Sequence, residues 1–329
     1  SKTSFTMNLK YLIIFLAPLT FSGLYTQNTL DYDWAKSVGT ANFDISEGHA
    51  VAPDGSSYLI GGFRGDLMPN PEDTSYKLVS KGLNDVFITK FNPTGDYEWS
   101  LSIGGTGIET CYDIFATDES VFVTGSFEDS VDFDPGNSEY YLKTPSYDEN
   151  GYLLKLTNSG SFEWVKQFSG TASSEGRQVL VNSNEEVVLA GLFTGDINFS
   201  NQTAFTSNGY LDIFICKLNG GSGNVLSTWQ IGGPEIEILN DLKLDATDNI
   251  YGIGYYSEEV DFNPGAGEMI LTSNGFDDWF LFKWNENGEA QWAKGIGSAT
   301  QSEVGYALQI DTDGNVFSTG KYEGDCDFN

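Results

Sequence analysis

The chain has 329 residues, and its 47 acidic and 16 basic side chains give it a formal charge of −31. This acidic excess excludes a nucleic-acid-binding protein, because phosphate contacts need clustered Lys and Arg, and it also excludes a polybasic membrane-surface protein. Aromatic residues make up 14% of the chain and glycine occurs 38 times, a composition typical of turn-rich all-β domains and not of disordered chains or helical bundles.

The first 26 residues differ from the rest, since they contain two lysines and no acid. Met7 is followed by Lys10 and by an apolar run at 11–21, which is typical of a secretory signal peptide. A membrane anchor is the alternative, but a spanning helix needs roughly 20 apolar residues and this run is shorter. We predict that residues 1–26 are upstream residues and a signal peptide, and that residues 27–329 form the exported domain. The protein is then secreted or displayed at the cell surface, without a stable membrane span.

The three cysteines, Cys111, Cys216 and Cys326, are odd in number and far apart. They fit neither a disulfide framework nor a zinc site. Cys216 lies inside an apolar run, where a thiol behaves as a small hydrophobic side chain. We therefore predict that all three are free thiols.

Three series of residues recur along the chain at intervals of 62 to 66 positions. They are Trp34, Trp99, Trp164, Trp229 and Trp292; Gly61, Gly125, Gly191, Gly254 and Gly320; and Lys90, Lys155, Lys217 and Lys283. Because three independent series share one period, the sequence predicts a tandem repeat of about 65 residues.

Each repeat contains, in chain order, four predicted strands. The first alternates in polarity, as at 112–116, and a polar turn leads to an apolar second strand, as at 121–127. A weak strand at 140–143 intervenes. The third strand, as at 85–92 and 212–219, is an apolar run suited to burial on both faces, and the repeating Trp opens the fourth, as at 98–105.

Four-stranded repeats without any helical segment predict an all-β fold. The architecture that this pattern favours is a β-propeller, in which each repeat of about 65 residues is one four-stranded blade. A linear β-solenoid is the alternative, but β-helix repeats are much shorter than this period.

Four short motifs recur in a fixed order: W-A-K, D-G-N-V, D-F-D-P-G and D-x-F-I-x-K-L-N. Clear copies stand at 292–294, 313–316, 132–136 and 212–219. In this order the motifs resemble those of the bacterial β-propeller repeat (SBBP) family, over essentially residues 30–329. The resemblance implies an exported propeller, and it implies no particular activity.

The fifth repeat begins at Trp292 and stops at 327–329, in the middle of the motif that reads D-F-D-P-G elsewhere. An unfinished blade leaves an open strand edge, which proteins avoid. We predict four blades and part of a fifth in an incomplete ring, truncated at the C-terminus. Further blades or a sorting domain are then expected after residue 329.

The recurrent acidic motif is the candidate metal site. Asp132 and Asp134, like Asp261 and Asn263, stand two positions apart, and the pattern returns at 327–329. Oxygen ligands at alternating loop positions can hold Ca²⁺, which takes 6–8 oxygens. The alternative is an ordinary turn in which the Asp or Asn side chain bonds to nearby backbone. Two of the five repeats depart from the motif, which favours the turn.

The repeating lysine and tryptophan each have a structural and a binding interpretation. We expect the lysines to pair with acids of a neighbouring strand, and a set of ligand-reading lysines is the alternative. We expect the tryptophans to pack blade against blade, and saccharide stacking is the alternative.

Catalysis has little support, because His49 is the single histidine and this disfavours Ser-His-Asp and multi-histidine metal sites. No other cofactor site is predicted. We predict an exported, non-catalytic propeller that acts as a binding or structural module at the cell surface or outside the cell. Its expected partners are proteins or polysaccharides, not nucleic acid. The alternative is a carbohydrate-active enzyme that uses paired carboxylates, or a quinoprotein-like enzyme.

Overall fold

The computed structural model describes residues 34–40, 43–70, 72–73, 75–136, 138–145, 148–199 and 202–326. The chain divides into two compact parts, Ser1–Asp33 and Trp34–Asn329, and all described residues belong to the second part. The predicted signal peptide and the acidic motif at 327–329 lie outside the described residues. Within the described ranges, no helix is long and apolar enough to cross a membrane.

The described residues form β-strands and no α-helix, which confirms the predicted all-β class. In chain order the strands are β1 (Asp44–Val51), β2 (Ser57–Phe63), β3 (Asp66–Leu67), β4 (Leu78–Val79), β5 (Asp85–Phe91), β6 (Tyr97–Ile103), β7 (Glu109–Ala116), β8 (Ser120–Phe127), β9 (Ser130–Asp132), β10 (Tyr141–Lys143), β11 (Asn150–Thr157), β12 (Phe162–Gly170), β13 (Ser174–Val181), β14 (Glu186–Phe193), β15 (Asp196–Phe199), β16 (Gln202–Thr206), β17 (Asp212–Asn219), β18 (Val225–Ile231), β19 (Glu237–Leu244), β20 (Ile250–Asp261), β21 (Ile270–Trp284), β22 (Ala290–Ile296), β23 (Val304–Ile310) and β24 (Val316–Lys321).

These strands form repeated antiparallel sheets. Four of them have the strand orders β1-β2-β5-β6, β7-β8-β11-β12, β13-β14-β17-β18 and β19-β20-β21-β22, and β23 pairs with β24. We call these five sheets repeats 1 to 5. The predicted second strand at 121–127 corresponds to β8, and the predicted third strand at 212–219 is β17. Four strands per repeat are therefore confirmed in repeats 1 to 4.

The middle strands of each sheet are the most buried, because neighbouring repeats cover both of their faces. Every residue of β5 and β8 is buried, whereas β6 keeps partly exposed positions. Ile88 of β5, Ile114 of β7 and Leu154 of β11 belong to one apolar cluster, so repeats 1 and 2 share a core. The alternating pattern of the sequence thus places apolar side chains between consecutive sheets.

A short hairpin lies between the second and third strands of repeats 1 to 4, and in repeats 2 to 4 it connects the repeat to the preceding one. β3 pairs with β4, β9 with β10 and β15 with β16, and in repeat 4 the ends of β20 and β21 take this place. Asp132 bridges to Gly104 after β6, Asp261 bridges to Gly232 after β18, and β15 pairs with β12. Each of these hairpins therefore extends the edge of the sheet before it.

Each first strand has a β-bulge where it pairs with the second strand. The unpaired residues are Glu47, Tyr112, Arg177, Asn240 and Tyr306. First strands of consecutive repeats also meet: the Val179 amide donates to Asp113 Oδ2 at 2.8 Å, and the Leu308 amide donates to Asp241 Oδ2 at 2.9 Å. A bulge changes the direction of the side chain of its extra residue. These five residues therefore lie outside the regular pairing of the first and second strands.

The repeating side chains have packing and pairing roles. Trp99 Nε1 donates to the Asn158 carbonyl at 3.2 Å, so the tryptophan of repeat 1 packs on the turn between β11 and β12 in repeat 2. Lys90 lies 2.9 Å from Glu98 on the neighbouring strand, as the sequence predicts. Cys111, Cys216 and Cys326 are free thiols.

Candidate functional site

The four predicted metal ligands lie in two equivalent turns of repeats 2 and 4. Asp132 Oδ1 accepts hydrogen bonds from the amides of Asp134 at 3.1 Å and of Tyr140 at 2.8 Å. Asp134 Oδ1 accepts from the amide of Gly136 at 2.8 Å. Between the two acids, the Phe133 side chain is completely buried. The turn therefore uses both aspartates to satisfy its own backbone.

Repeat 4 reproduces this geometry. Asp261 Oδ1 accepts from the amides of Asn263 at 2.9 Å and Met269 at 2.8 Å, and Asn263 Oδ1 accepts from the Gly265 amide at 2.9 Å. Among the described residues, no group of three or more His, Cys, Asp or Glu side chains is arranged to hold a metal ion. The contacts match the turn alternative, and Ca²⁺ binding at either turn stays a prediction that calorimetry at millimolar Ca²⁺ can test.

A second acidic series, which sequence analysis missed, is buried between repeats. An Asp opens the third strand of one repeat and a Glu stands at the start of the next first strand. The pairs are Asp85 with Glu109, Asp212 with Glu237, and Asp278 with Glu303; at the interface of repeats 2 and 3 the same places hold Asn150 and Ser174. All eight side chains are at most 4% exposed. We call these three acidic pairs the interface pairs.

Burial has a large effect on the protonation of the interface pairs. It raises the pKa of Glu109 to about 8 and that of Glu237 to about 8. In each case the neighbouring Asp contributes to this rise, because two negative charges at one buried place repel each other. The signal in the sequence was that these positions, with Asn150 and Ser174 included, recur at intervals of 62 to 66 residues, but acids at strand ends are commonly read as exposed.

The five bulge residues form the candidate site, and we call Glu47, Tyr112, Arg177, Asn240 and Tyr306 the bulge row. Two positions further along the strand, repeats 2 to 5 bury an apolar side chain. The bulge position instead varies in charge and size from repeat to repeat. A varied polar or aromatic position within a repeated frame is what a recognition surface requires.

Arg177 is the centre of the bulge row. Its guanidinium carbon lies 4.2 Å from the centre of the Tyr112 ring, a cation–π contact between repeats 2 and 3. Its Nη2 lies 2.6 Å and its Nε 2.8 Å from Glu175 Oε1. Burial is the main cause that raises the pKa of Tyr112 to about 12, and Glu175 contributes to this rise. The phenol is therefore neutral and available as a hydrogen-bonding and stacking surface.

Side chains from other repeats approach the same guanidinium. Burial raises the pKa of Glu47, and Arg177 offsets part of that rise across about 130 positions of sequence. Burial and then Asp277 raise the pKa of Tyr255 in β20, and Arg177 again acts against them. Repeats 1, 2, 3 and 4 therefore all contribute to the surroundings of Arg177.

A groove adjoins the bulge row between repeats 1 and 2. It has a volume of about 280 Å³, and Glu47, Arg64 and Tyr112 take part in its lining. The Arg64 guanidinium carbon lies 5.6 Å from the centre of the Phe43 ring. At the other end of the row, Tyr306 is 52% exposed, and the side-chain Nδ2 of Asn240 donates to the Gly305 carbonyl at 2.7 Å. The surface thus combines arginine, tyrosine and carboxylate groups.

Comparison with known proteins gives one informative similarity. The chain is 23% identical over 365 residues to the "Uncharacterized WD repeat-containing protein L264" of Acanthamoeba polyphaga mimivirus. The similarity covers 88% of this chain and 26% of that protein, so the chain spans about a quarter of the relative's length. No family model matches the sequence.

The similarity agrees with the architecture, because WD repeats are four-stranded propeller blades. The chain is an all-β repeat protein that is similar to a WD-repeat protein. Membership of the SBBP family and export stay predictions. The structure keeps the acidic turns of repeats 2 and 4 apart, and it brings together the bulge row, whose existence depends on strand register and not on any motif.

Proposed function

We propose that this chain is a β-propeller module that binds another protein through the bulge row and catalyses no reaction. The contact of Arg177 with Tyr112 is the observation that carries the proposal, because it brings partly exposed groups of different repeats together at one place. Arginine and tyrosine are enriched at the centres of protein interfaces, where they supply large contact areas and directional hydrogen bonds.

The propeller arrangement is supported by how the repeats meet. Repeats 1 to 4 each contribute four antiparallel strands, and first strands of consecutive repeats bond to each other through Asp113 and Asp241. In a propeller, the first strands of successive blades lie beside a shared channel. We propose that repeats 1 to 4 are four blades and that β23 and β24 begin a fifth.

We also propose that the module is exported and acts at the cell surface or outside the cell. The support for export is the basic start and short apolar run of residues 1–26, together with the SBBP-like motifs. Polysaccharides are a second class of partner that such a location would offer. Detection of the mature protein in the culture medium or on intact cells, beginning near residue 27, would test this part of the proposal.

The binding test compares two double variants of the full chain. Tyr112→Ser with Arg177→Ser removes the centre of the bulge row, and Tyr141→Ser with Lys143→Ser removes one tyrosine and one basic side chain, both exposed, from β10. Proteins from the cell envelope and medium are chemically cross-linked to each immobilised variant and quantified by mass spectrometry. We expect a defined partner to be retained by the wild type and the β10 variant and lost from the bulge-row variant. Equal recovery from all three proteins would overturn the proposal.

The acids and aromatic groups near Arg177 also support an enzyme as a second candidate function. Glu47 and Glu149 both lie near that guanidinium, and paired carboxylates are the groups that hydrolyse glycosidic bonds. Release of new reducing ends from cell-surface polysaccharides by the wild type, abolished in Glu149→Gln, would support this second candidate. Equal release by both proteins would assign the activity to another source.

A further inference from the structure

The two carboxyl groups of one interface pair, Asp212 and Glu237, both pack against the same two consecutive backbone residues, Gly232 and Gly233. The Gly233 amide donates to Glu237 Oε2 at 2.8 Å. A Cβ atom added to Gly232 would overlap the Asp212 carboxyl group, so that group is packed directly on the preceding residue. Asp212 belongs to repeat 3 and Glu237 to repeat 4, and both are fully buried. The step Gly232–Gly233 therefore brings one acid from each repeat together.

One oxygen of each acid has no hydrogen-bond partner in the structure. These atoms are Asp212 Oδ1 and Glu237 Oε1. The other Asp212 oxygen, Oδ2, accepts from the Asn208 amide at 3.0 Å and from Gln230 Nε2 at 2.6 Å. Two ionised carboxylates in such a place would be costly, because one oxygen of each would lack both water and a donor. A proton held between them would supply one donor and remove one charge.

The groups around the pair offer no compensating positive charge. The loop before β17 contributes Asn208 and Gly209, and β18 contributes Gln230, all of them neutral. The one other charged group that acts on Glu237 is Glu235, which raises the pKa of Glu237 in the same direction as burial and Asp212 do. The electrostatic surroundings therefore favour the protonated state.

The interface between repeats 2 and 3 shows that the two acids vary together. Asn150 takes the place of the Asp and Ser174 takes the place of the Glu. The residue that corresponds to Gly232 is also different there, namely Ser169, which has a Cβ. If each carboxylate served only its own turn, a single replacement would be expected; the joint change indicates that the two carboxyl groups function as a pair.

We propose that Asp212 and Glu237 share one proton, and that this proton holds repeat 3 against repeat 4 until rising pH removes it. The direction of the effect follows from Glu237, whose ordinary pKa is 4.5 and whose folded pKa is about 8. Below the lower value both folded and unfolded chains are protonated. Between the two values only the folded chain keeps the proton, so stability falls as pH rises, by up to about tenfold in the unfolding equilibrium per pH unit.

The test measures chemical unfolding of the full chain between about pH 5 and pH 9. Glu237→Gln keeps the shape of the protonated acid and cannot ionise. We expect the unfolding equilibrium of this variant to depend less on pH than that of the wild type. The difference should be up to the contribution of one proton, which is about tenfold per pH unit. A matched control, Glu289→Gln, changes an exposed acid of repeat 4 and should keep the wild-type slope. Identical slopes for the wild type and Glu237→Gln would overturn the proposal.

A second measurement does not depend on unfolding. The infrared spectrum of the wild type at neutral pH should contain a protonated-carboxyl band that is missing from Glu237→Gln and that disappears near pH 8. No such difference band at neutral pH would exclude the shared proton. If Ca²⁺ stabilised the wild type and not the Asp212→Asn, Glu237→Gln variant, the pair would hold a metal ion instead, and the proposal would also fail.

Discussion

The interface between repeats 2 and 3 and the interface between repeats 3 and 4 are built from equivalent strands with different chemistry. At the first, the Ser174 hydroxyl donates to the Phe168 carbonyl at 2.5 Å and accepts from the Gly151 amide at 3.0 Å. At the second, Asp212 and Glu237 occupy these places as two buried acids. One interface places a neutral hydroxyl and a neutral amide at these positions, and the other places two acids that need a proton.

The difference shows that the polar residues and the backbone residue they pack on change together at an interface between repeats. A buried pair of acids occurs with a glycine on the preceding step, at Gly104, Gly232 and Gly297, because the Asp carboxyl group packs where a side chain would begin. The neutral interface has Ser169 at that place. The backbone frame stays constant while the polar groups change together, so one fold can combine pH-sensitive and pH-insensitive contacts.

The largest expected effect comes from Gly232→Ala. The new methyl group would overlap the Asp212 carboxyl group, and overpacking of this kind costs about 3 kcal/mol of the free energy of unfolding. Ser169→Ala at the neutral interface is the matched control and should cost less than about 1 kcal/mol, since that position already carries a Cβ. Urea unfolding of both variants measures the contrast. Equal losses would show that the two steps are not packed differently.

Asn150→Asp would place a single acid at the neutral interface. Because Ser174 cannot share a proton as Glu237 does, the buried charge is expected to cost about 2 kcal/mol at neutral pH. The folded pKa of the new acid should be raised, so the loss grows as pH rises and vanishes at low pH. Unfolding at about pH 4 and pH 8 checks this. A loss that did not depend on pH would mean that the new acid is not buried.

Glu109→Gln extends the comparison to the interface of repeats 1 and 2. Burial raises the pKa of Glu109 to about 8 from 4.5, so wild-type stability falls between these values as pH rises. The variant should remove up to about 1.4 kcal/mol of that fall per pH unit. Since Glu109 and Glu237 belong to different interfaces, their effects should add in the double variant. Strong non-additivity would instead indicate that the interfaces open together.

The smallest effect is expected from Lys155→Met in β11. The lysine lies 2.7 Å from Glu163 and its Nζ lies 5.6 Å from the centre of the Phe122 ring. The Glu163 side chain is 36% exposed, so the pair should contribute about 1 kcal/mol or less, and salt should weaken it. Unfolding at low and high ionic strength measures this. A large loss that salt does not change would point to packing of the lysine stem.

Much of the fold could be predicted from the sequence, because strands depend on local alternation and turns. The predicted strand at 212–219 matches β17, and the predicted weak strand at 140–143 is β10 within one residue. The interface pairs could not be predicted in this way. Asp85 and Glu109 stand 24 positions apart in neighbouring repeats, and only the packing of sheet on sheet makes them adjacent.

The candidate site shows the same limit. Asp132 and Asp134 were recognised as a recurrent feature, yet their role in the structure is that of turn-forming acceptors, which the residue types alone could not decide. The bulge row has no motif at all. A bulge arises from the register between two strands, and a pattern of side chains along one strand does not contain that register.

Because of the hairpins that bridge to Gly104 and Gly232, a sheet depends for its completion on residues that are synthesised later. During synthesis, the fourth strand of a repeat leaves the ribosome well before the hairpin that will extend its edge. That hairpin lies in the following repeat, after two further strands. The edge of each such sheet is therefore completed only after the following repeat has been synthesised. Each newly made repeat then stabilises the sheet edge of the repeat that preceded it.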